Sequence, residues 1–360
     1  MSRTSEAGLA FPADLDAWRR WARTRRPVER AVRAAKQRLR PMPYVAPTLH
    51  LPPAGEGGVE TLVVLDVLSP SCRAAVLDPV AHLDPARTAL LAPVPLDSAD
   101  LPAQWEPRSW SAETVLPGVQ QVLTLGTFNA LADQVVAWAR PRGARHVVVQ
   151  HGLLTRWVPP LADGDHLLAW SEADAAYWTA GRASITSEVV GSQLLALAGR
   201  EPKVPLKSDR AVMLGQLHGV ELNRREALRT YLRFGRSERV DYRPHPNERD
   251  LASRAAHRVM RRAGVRFADE PGSLLDLGRP VVSIFSTGTL EAAQRGLPAW
   301  VAHTDSPPWV EDLWERYGLR RWGRTPLPLG PTRPSSRLPL WPPALRLQAV
   351  EASTTHLPFG

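Results

Sequence analysis

Short apolar runs alternate with stretches of helical periodicity from about residue 61 onward. This alternation is typical of a parallel sheet covered by helices. Helices are predicted at about 71–78, 129–140 and 172–180. The strands predicted between them are 61–68, 88–94, 121–125, 146–150, 166–170 and 187–190.

A polar stretch marked by prolines at 199–209 interrupts this rhythm, and we interpret it as a linker between two domains. The alternation then restarts, which predicts two similar α/β domains at 61–200 and 201–324. The second domain is predicted to hold strands at 211–214, 240–243, 265–268, 281–285 and 299–302, and helices at 221–233, 247–263, 272–277 and 287–295. Residues 325–360 are rich in proline, and a tail that packs across the domains or stays partly disordered is expected there.

Residues 1–60 form a basic amphipathic segment followed by a linker. Apolar side chains recur at three- and four-residue spacing between Leu15 and Leu39, with arginines distributed around them, and residues 41–60 are rich in proline and glycine. Two interpretations remain open for residues 1–40. The segment either lies on an anionic membrane surface, with its tryptophans at the interface, or packs on the protein as a leading helix with a solvated face.

Net charge changes this picture only at the N-terminus. The formal charge of +9 over 360 residues suggests a polyanionic partner at first. Residues 1–40 contain eleven basic and four acidic side chains, a net +7, so the remaining residues carry only 9 − 7 = +2. No zinc knuckle, aromatic ribonucleoprotein motif or usual Gly-x-x-Gly clamp is present, and we therefore expect no nucleic-acid partner.

Cysteine content and hydropathy indicate the compartment. Cys72 is the single cysteine of the sequence, which excludes intramolecular disulfides and cysteine-built zinc sites. No run approaches the roughly 18 to 20 apolar residues that span a bilayer, and the first 15 residues do not resemble a signal peptide. We expect a cytoplasmic protein, held at the inner face of the plasma membrane if residues 1–40 bind lipid.

Three strand ends carry the candidate chemistry, because ligands of open α/β sheets bind where strands end. In one of them, Ser286, Thr287, Gly288 and Thr289 stand between an apolar strand and a helix. Their amides, their hydroxyls and the helix N-terminus suit a phosphate. The alternative is an ordinary capping box that Glu291 completes.

The second strand end places His245 between Pro244 and Pro246, which hold the backbone extended. A fixed imidazole could hydrogen-bond or protonate a leaving phosphate, and Arg243 would share its face of the strand. The alternative is a histidine that serves only in a turn.

The third strand end is the sequence VVVQHG, in which His151 and Gly152 follow β-branched residues. His151 could accept the proton of an acceptor hydroxyl, with Gln150 and Thr155 as supporting residues. The alternative is a structural histidine that caps the next helix or bonds a backbone carbonyl.

The succession of His-Gly, Arg-Pro-His-Pro and Ser-Thr-Gly-Thr-Leu-Glu-Ala-Ala over about residues 60–305 resembles GT-B glycosyltransferases of bacterial surface polysaccharide synthesis. The similar families are the sialyl-, Kdo- and polysialyltransferases and the CDP-glycerol glycerophosphotransferases. The resemblance implies two Rossmann-like domains whose parallel sheets face a cleft. Gln150, His151 and Gly152 stand where sialyl- and Kdo-type enzymes carry an Asp-Gly turn, and this departure is closer to the glycerophosphotransferases. An Asp-Gly pair is present at Asp163 and Gly164, but it precedes a predicted strand and so fits that position less well.

The same resemblance implies site roles and a reaction. His245 matches a donor-phosphate contact, Ser286 and Thr287 a phosphate-binding serine pair, and Glu291 a ribose contact, while Gly215 and Glu270 would lie near the nucleotide base. His151 would be the base. The implied enzyme transfers a glycosyl or glycerophosphate unit from a CMP- or CDP-activated donor to a polysaccharide or lipid-linked acceptor, with neither metal nor other cofactor. A UDP-N-acetylglucosamine 2-epimerase, an RNA or polyanion binder and a non-catalytic scaffold remain the alternatives.

Overall fold

The structure is a computed structural model. It describes residues 8–25, 46–53, 55–97, 100–102, 104–111, 116–219, 221–238, 240–268 and 272–322. Residues 26–40 of the predicted basic amphipathic segment and the predicted tail at 325–360 lie outside these residues.

Two sheets organise the chain. The strands of the first sheet are Thr48–Leu51 (β1), Thr61–Val64 (β2), Thr88–Ala92 (β3), Glu106–Ser109 (β4), Gln121–Thr124 (β5), Arg145–Val149 (β6), His166–Ala169 (β7) and Thr186–Val189 (β8). Its order is β4-β1-β3-β2-β5-β6-β7-β8. The second sheet has the order β10-β9-β11-β12 and consists of Ala211–Leu214 (β9), Val240–Arg243 (β10), Val281–Ser283 (β11) and Ala299–Val301 (β12).

Helices connect the strands. The first is Leu15–Thr24 (α1), and the second, α2, is a continuous stretch of three pieces, Pro70–Cys72, Arg73–Leu77 and Asp78–Val80, of which the middle one is a π-helix. The others are Ala130–Ala139 (α3), Glu172–Thr179 (α4), Gln193–Arg200 (α5), Arg224–Ser237 (α6), Leu251–Arg262 (α7), Thr287–Gln294 (α8) and Pro308–Arg316 (α9). Short 3-10 turns occupy Glu56–Gly58, Arg140–Arg142 and Leu275–Leu277.

Both faces of the central strands of the first sheet are buried, as continuous apolar strands require. Its edge strand β4 is exposed. Along β2, Val63 packs on the side of α2, whereas Leu62 and Val64 pack on the side of α3. This alternation follows from the two-residue period of a strand. The chain is therefore α/β, and the prediction of helix-covered sheets is confirmed at this level.

The expectation of wholly parallel sheets is wrong at one edge. The second sheet is parallel, as are β2, β3, β5, β6, β7 and β8, but β1 runs antiparallel to both β3 and β4. Strand β1 lies within residues 41–60, predicted as a linker, because Leu49 and Leu51 add to the core beside Trp110. The predicted strand at 265–268 contributes only an isolated bridge between Phe267 and Tyr242.

Of the predicted linker at 199–209, residues 199 and 200 end α5, and residues 201–209 contain neither helix nor strand. This stretch is hydrogen-bonded to residues beside the second sheet. The amide of Val204 donates to the carbonyl of Arg295 at 2.8 Å, and the amide of Lys207 donates to that of Gly278 at 2.7 Å. Trp170 and Leu195 precede this stretch, yet they lie in the hydrophobic cluster of the second sheet. The two sheets therefore share part of one core.

Helix α1 packs on the body of the protein, as one of the two interpretations of the basic segment predicted. Trp18 and Trp21 are half-buried, whereas Arg20 and Arg23 are exposed. Whether residues 1–40 contact a membrane stays a prediction. None of the helices in the described ranges combines the length and apolarity needed to cross a bilayer.

Stability is expected to decrease in mild acid through His166. This side chain is buried on β7, and burial together with the nearby Arg145 lowers its pKa to about 4. The unfolded chain takes up the proton near pH 6.5, so protonation favours unfolding as pH falls from 6.5 towards 4. Between pH 7.5 and 5 we expect His166 to account for a loss of about 2 kcal/mol in the free energy of unfolding.

Urea unfolding of the wild type and of His166→Gln at both pH values measures this loss. The variant should show the smaller decrease between pH 7.5 and 5. Equal decreases in the two proteins would contradict the assignment.

Candidate functional site

A cavity of about 1030 Å³ lies between the two sheets. Its walls come from the loops that follow the carboxyl ends of strands in both sheets, where ligands of parallel sheets bind. Residues that line it after β5 and β6 include Phe128, His151 and Gly152, and residues after β9, β10 and β11 include His218, Arg249 and Thr287. Of the three predicted strand ends, the cavity thus joins the first-sheet loop of His151 to the second-sheet loop of Ser286 and Thr287.

Gly152 and Thr287 lie almost in contact across the cavity. A Cβ atom built on Gly152 would stand 3.6 Å from Oγ1 of Thr287. A residue predicted to bind phosphate is therefore close to the loop that carries the predicted base. Two segments more than 130 residues apart in sequence form one site.

The His151 imidazole is held in an apolar environment. Its ring packs edge-on against Phe128, with 5.4 Å between centroids, and its Nδ1 atom is buried with no hydrogen-bond partner among the described residues. Burial lowers the pKa of His151 to about 4, and the backbone of Val149 only partly offsets this effect. The ring is therefore neutral at pH 7, the form that can accept a proton.

A buried polar network fixes the loop that carries His151. The Nε2 atom of Gln150 donates to the carbonyl of Gly152 at 3.1 Å and to Oδ2 of Asp174 at 3.1 Å, while its Oε1 accepts from the amide of Trp170 at 2.8 Å. Tyr317, just after α9, donates its hydroxyl to Oδ1 of Asp174 at 2.7 Å and accepts from the amide of Leu154 at 2.9 Å. The network therefore ties α9 to the His151 loop.

Arg316 completes this network beside Asp174. Its Nε atom is 3.5 Å from Oδ1 of Asp174, it donates to the carbonyl of Leu154, and its guanidinium lies 3.6 Å from the ring centre of Tyr177. Burial raises the pKa of Asp174, although Arg316, Tyr317 and Gln150 counteract that rise. A carboxylate with no exposed surface needs these partners because an unpaired buried charge is costly.

The turn before α8 both caps the helix and lines the cavity. Ser286 is the N-cap of α8 and accepts from the amide of Gly288 at 3.2 Å, as the capping interpretation predicted. Ser286 and Thr287 also line the cavity. Thr289 points into the core instead, where its hydroxyl pairs with that of Ser283 at 2.7 Å, and Gly288 packs close to Leu214 and Leu274.

Gln216 holds the backbone just before this turn in place. Its Oε1 accepts from the amide of Phe285 at 2.9 Å, and its Nε2 donates to the carbonyl of the same residue. The loop after β9 is thereby bonded to the loop after β11. Such fixed backbone geometry suits a site that must meet a charged ligand without rearrangement.

His245 lies behind the cavity wall, and His218 forms the wall itself. The two imidazole rings stack with 3.9 Å between centroids, and only His218 is among the residues that line the large cavity. Although His245 as a residue is exposed, burial of its ring and the neighbouring His218 lower its pKa to about 4. His245 and Arg243 line a shallower pocket of about 400 Å³, and Arg243 donates to the carbonyl of Gly272 at 2.6 Å.

A buried glutamate supports His218. Oε2 of Glu248 accepts from the hydroxyl of Tyr242 at 2.6 Å and contacts Nε2 of His257 at 2.7 Å, while Oε1 accepts from the amide of Leu217 at 2.9 Å. Burial acts to raise the pKa of Glu248, but hydrogen bonds from His218, Tyr242 and His257 outweigh it and hold the pKa below its ordinary value. Glu248 is thus an anion that orients the histidine at the cavity wall.

Gly215 packs against the Glu248 side chain and does not line the cavity. A Cβ atom at Gly215 would stand 2.4 Å from the Tyr242 hydroxyl and 2.6 Å from Oε1 of Glu248. The residue is a glycine because its two neighbours occupy the space of a side chain.

Gly215→Ala is therefore expected to lower the free energy of unfolding by about 1–3 kcal/mol through overpacking. Gly57→Ala is the matched control, since no described atom outside its chain neighbours lies within 4 Å of a Cβ there. Chemical denaturation of both variants measures the difference, and equal effects would contradict the steric role of Gly215.

Of the predicted nucleotide contacts among the described residues, Glu291 does not line the cavity. Glu291 is on α8, and burial raises the pKa of its carboxyl despite Arg295 nearby, but the side chain is not part of the cavity wall. Glu270 lies outside the described residues. Within the described part of the chain, no group of three or more histidine, cysteine or acidic side chains is arranged to hold a metal ion.

The resemblance placed the stretch from Gly215 to His218 near the nucleotide base, but the sequence did not reveal the contact of His218 with Glu248. It also did not reveal that Asn247 and Arg249, after β10, line the cavity. The sequence positions gave a partial indication: His218 follows a predicted strand, and Asn247 and Arg249 follow His245. Their relation to Glu248 depends on tertiary contacts that no short motif records.

The sequence matches none of the known protein-family models, and no curated protein is similar enough to count as a relative.

Proposed function

We propose that this protein is a transferase of the GT-B type. It would move a glycosyl or glycerophosphate unit from a nucleotide-activated donor, CMP- or CDP-linked, to a hydroxyl of a polysaccharide or lipid-linked acceptor. The observation that carries the proposal is the approach of Gly152 to Thr287, which puts a neutral histidine and a phosphate-suited helix start in one cavity.

The donor phosphate would bind on the second-sheet side. Ser286 and Thr287 stand at the N-terminus of α8, where the helix dipole favours an anion. His218, backed by the Glu248 carboxylate, and the exposed Arg249 line the same cavity and add polar and positive groups. These groups would stabilise the charge that develops on the departing phosphate oxygen.

The acceptor would approach on the first-sheet side. Its hydroxyl oxygen forms a bond to the transferred carbon or phosphorus as the bond from that atom to the donor's phosphate oxygen breaks. The hydroxyl proton passes to His151, and the electron pair of the broken bond stays on the nucleotide. The pKa of about 4 makes His151 a weak base that is fully available at pH 7.

A thermal-shift panel of CMP, CDP, UMP, UDP and GDP tests the donor side. A ligand that binds only the folded protein raises its unfolding temperature. We expect stabilisation by a cytidine nucleotide and a smaller shift in His218→Gln and in Thr287→Val, which lose cavity contacts.

Thr88→Val is the matched control for the threonine variant. Its hydroxyl is buried on β3 with no partner in the described part of the chain, so nucleotide stabilisation should persist. Absence of any shift with all five nucleotides would remove the main support for a transferase. A shift with uridine nucleotides alone would favour the epimerase alternative.

A further inference from the structure

Helices α6 and α7 cover one face of the second sheet. Helix α6 leads from β9 to β10, and α7 leads from β10 to Phe267, which forms a parallel bridge with Tyr242 of β10. Because such connections are right-handed, two that run outward in the same direction place their helices on the same side of the sheet. The helices pack against each other, and Tyr231 of α6 and Met260 of α7 are buried in the core beneath them.

The outer sides of both helices carry a row of exposed arginines, and we call this surface the arginine face. Successive arginines in each row are mainly three or four residues apart, which places them on one side of the helix. The row on α6 consists of Arg225, Arg229, Arg233 and Arg236. The row on α7 consists of Arg254, Arg258, Arg261 and Arg262.

The arginine-rich composition of the chain does not explain this concentration of charge. Helix α6 contains five basic and one acidic side chain, a net +4, and α7 contains four arginines and no acidic side chain, also a net +4. Residues 41–360 carry +2 in all, so those outside the two helices carry 2 − 8 = −6. The arginine face is therefore a local cationic surface on a chain that is otherwise slightly acidic after residue 40.

Carboxylates neutralise little of the arginine face. Arg224 pairs with Asp250 at 3.1 Å and Arg266 with Asp241 at 3.5 Å, but neither arginine belongs to the two rows. Among the described residues, no acidic side chain lies within ion-pair distance of the α6 row or of Arg258. Guanidinium groups on adjacent helices repel one another, and an external polyanion would remove that repulsion.

Exposed aliphatic side chains lie beside the arginines of α7. Leu251 is 71% exposed and stands one turn before Arg254, and Val259, next to Arg258, is 47% exposed. A helix surface that combines arginines with exposed aliphatic side chains is typical of segments that lie on an anionic bilayer. There the arginines bind phosphate headgroups, and the aliphatic side chains enter the boundary between headgroups and acyl chains.

We infer that the arginine face docks this protein on a bilayer that contains anionic phospholipids. The face begins at the rim of the large cavity, because Glu221, shortly before α6, and Asp250, directly before α7, line that cavity. Docking therefore brings the opening of the cavity close to the bilayer. It favours a lipid-linked acceptor over a soluble one, a consequence that rests on the proposed function, whereas docking itself does not.

A nucleic acid fits the arginine face less well. Proteins hold single strands by stacking bases on exposed aromatic rings. On α6 and α7 the aromatic side chains are not exposed, since Tyr231 is buried and Phe234 is half-buried. Phe267, beside α7, is covered by the Arg261 guanidinium at 3.7 Å from its ring centre. The exposed Leu251 would also gain nothing from contact with a phosphate backbone.

Co-sedimentation of the full chain with phosphatidylcholine vesicles, with and without phosphatidylglycerol, tests the inference. We expect binding that requires phosphatidylglycerol and weakens as the salt concentration rises. The double variant Arg229→Gln/Arg258→Gln should bind about 25-fold more weakly, since each arginine near an anionic surface contributes about fivefold. Leu251→Ser should weaken binding about threefold through the loss of apolar contact.

Arg108→Gln/Arg200→Gln is the matched control, because it removes the same charge from two other exposed arginines. Arg108 lies on the edge strand β4 of the first sheet, and Arg200 ends α5, which packs on α8. Helix α8 leads from β11 outward to β12, opposite in direction to α6, and so lies on the other face of the second sheet. Vesicle binding should therefore be unchanged.

Three vesicle results would overturn the inference: no binding to phosphatidylglycerol, equal weakening in the two double variants, or undiminished binding of Arg229→Gln/Arg258→Gln. The last result would assign the membrane contact to residues 1–40. Polyuridylate serves as the nucleic-acid probe. Tighter binding of polyuridylate than of vesicles, together with wild-type vesicle binding by Leu251→Ser, would favour RNA and also overturn the inference.

The nucleotide panel separates docking from the proposed reaction. Nucleotide stabilisation without vesicle binding would overturn docking and leave the transferase proposal standing. The expected vesicle binding without any nucleotide effect would support the arginine face while the transfer reaction failed.

Discussion

His151→Ala is expected to reduce the rate of transfer by about 10²- to 10⁴-fold, the usual contribution of a general base. Nucleotide stabilisation should remain near that of the wild type, because the phosphate contacts come from the second-sheet side. Steady-state rates with a donor identified by the nucleotide panel, combined with thermal shifts, measure both effects.

The acid side of the pH–rate profile provides the control. Because burial lowers the pKa of His151 to about 4, the base stays unprotonated well below pH 6.5. The dependence of kcat/KM on pH should therefore show no acid limb near 6.5. A limb at that pH, or loss of nucleotide binding in His151→Ala, would contradict the role of His151 as base.

Asp174→Ala is expected to lower the free energy of unfolding by about 3–5 kcal/mol. The substitution leaves Arg316 without its buried counter-charge and the Tyr317 hydroxyl and Gln150 amide without a shared acceptor. Urea denaturation measures the loss, and Asp174→Asn should recover part of it because the amide oxygen can still accept from Tyr317.

Asp163→Ala is the matched control for Asp174→Ala. Asp163, the acidic member of the Asp-Gly pair in the sequence, is exposed and bonds to Arg182 and Ser184 at the surface. Its removal should change stability little, since exposed ion pairs contribute little. Similar losses in the two variants would show that the Asp174 network is not a major source of stability.

Several strands of the second sheet were predictable because strong local signals bound them. Strands β9 and β10 coincide with the predicted 211–214 and 240–243, since each lies between polar or proline-marked segments. Strand β1 was missed because four residues between prolines resemble a linker until Leu49 and Leu51 are placed in a core. Helices α5 and α9 were missed, although each shows apolar side chains at helical spacing.

Residues of the candidate site were predictable only where they directly follow a predicted strand. His151, Ser286 and Thr287 follow predicted strands, and the structure brings their loops together. Gly215 could not be interpreted from sequence, because its reason lies in the positions of Tyr242 and Glu248, 27 and 33 residues further on. The stacking of His245 on His218 likewise depends on two different loops meeting.

Residues from each side of the predicted linker pack with the sheet on the other side, so the chain does not divide cleanly into two halves. Trp170 and Leu195 come before the linker but lie in the hydrophobic cluster of the second sheet. Tyr317 comes after the linker, but its hydroxyl accepts from the amide of Leu154 in the loop that follows β6 of the first sheet. Cleavage anywhere in 201–210 would leave one fragment with an exposed tryptophan and the other with an open core. The halves are therefore not interchangeable modules, and a substitute for either one from another protein would have to reproduce these crossing residues as well as the sheet.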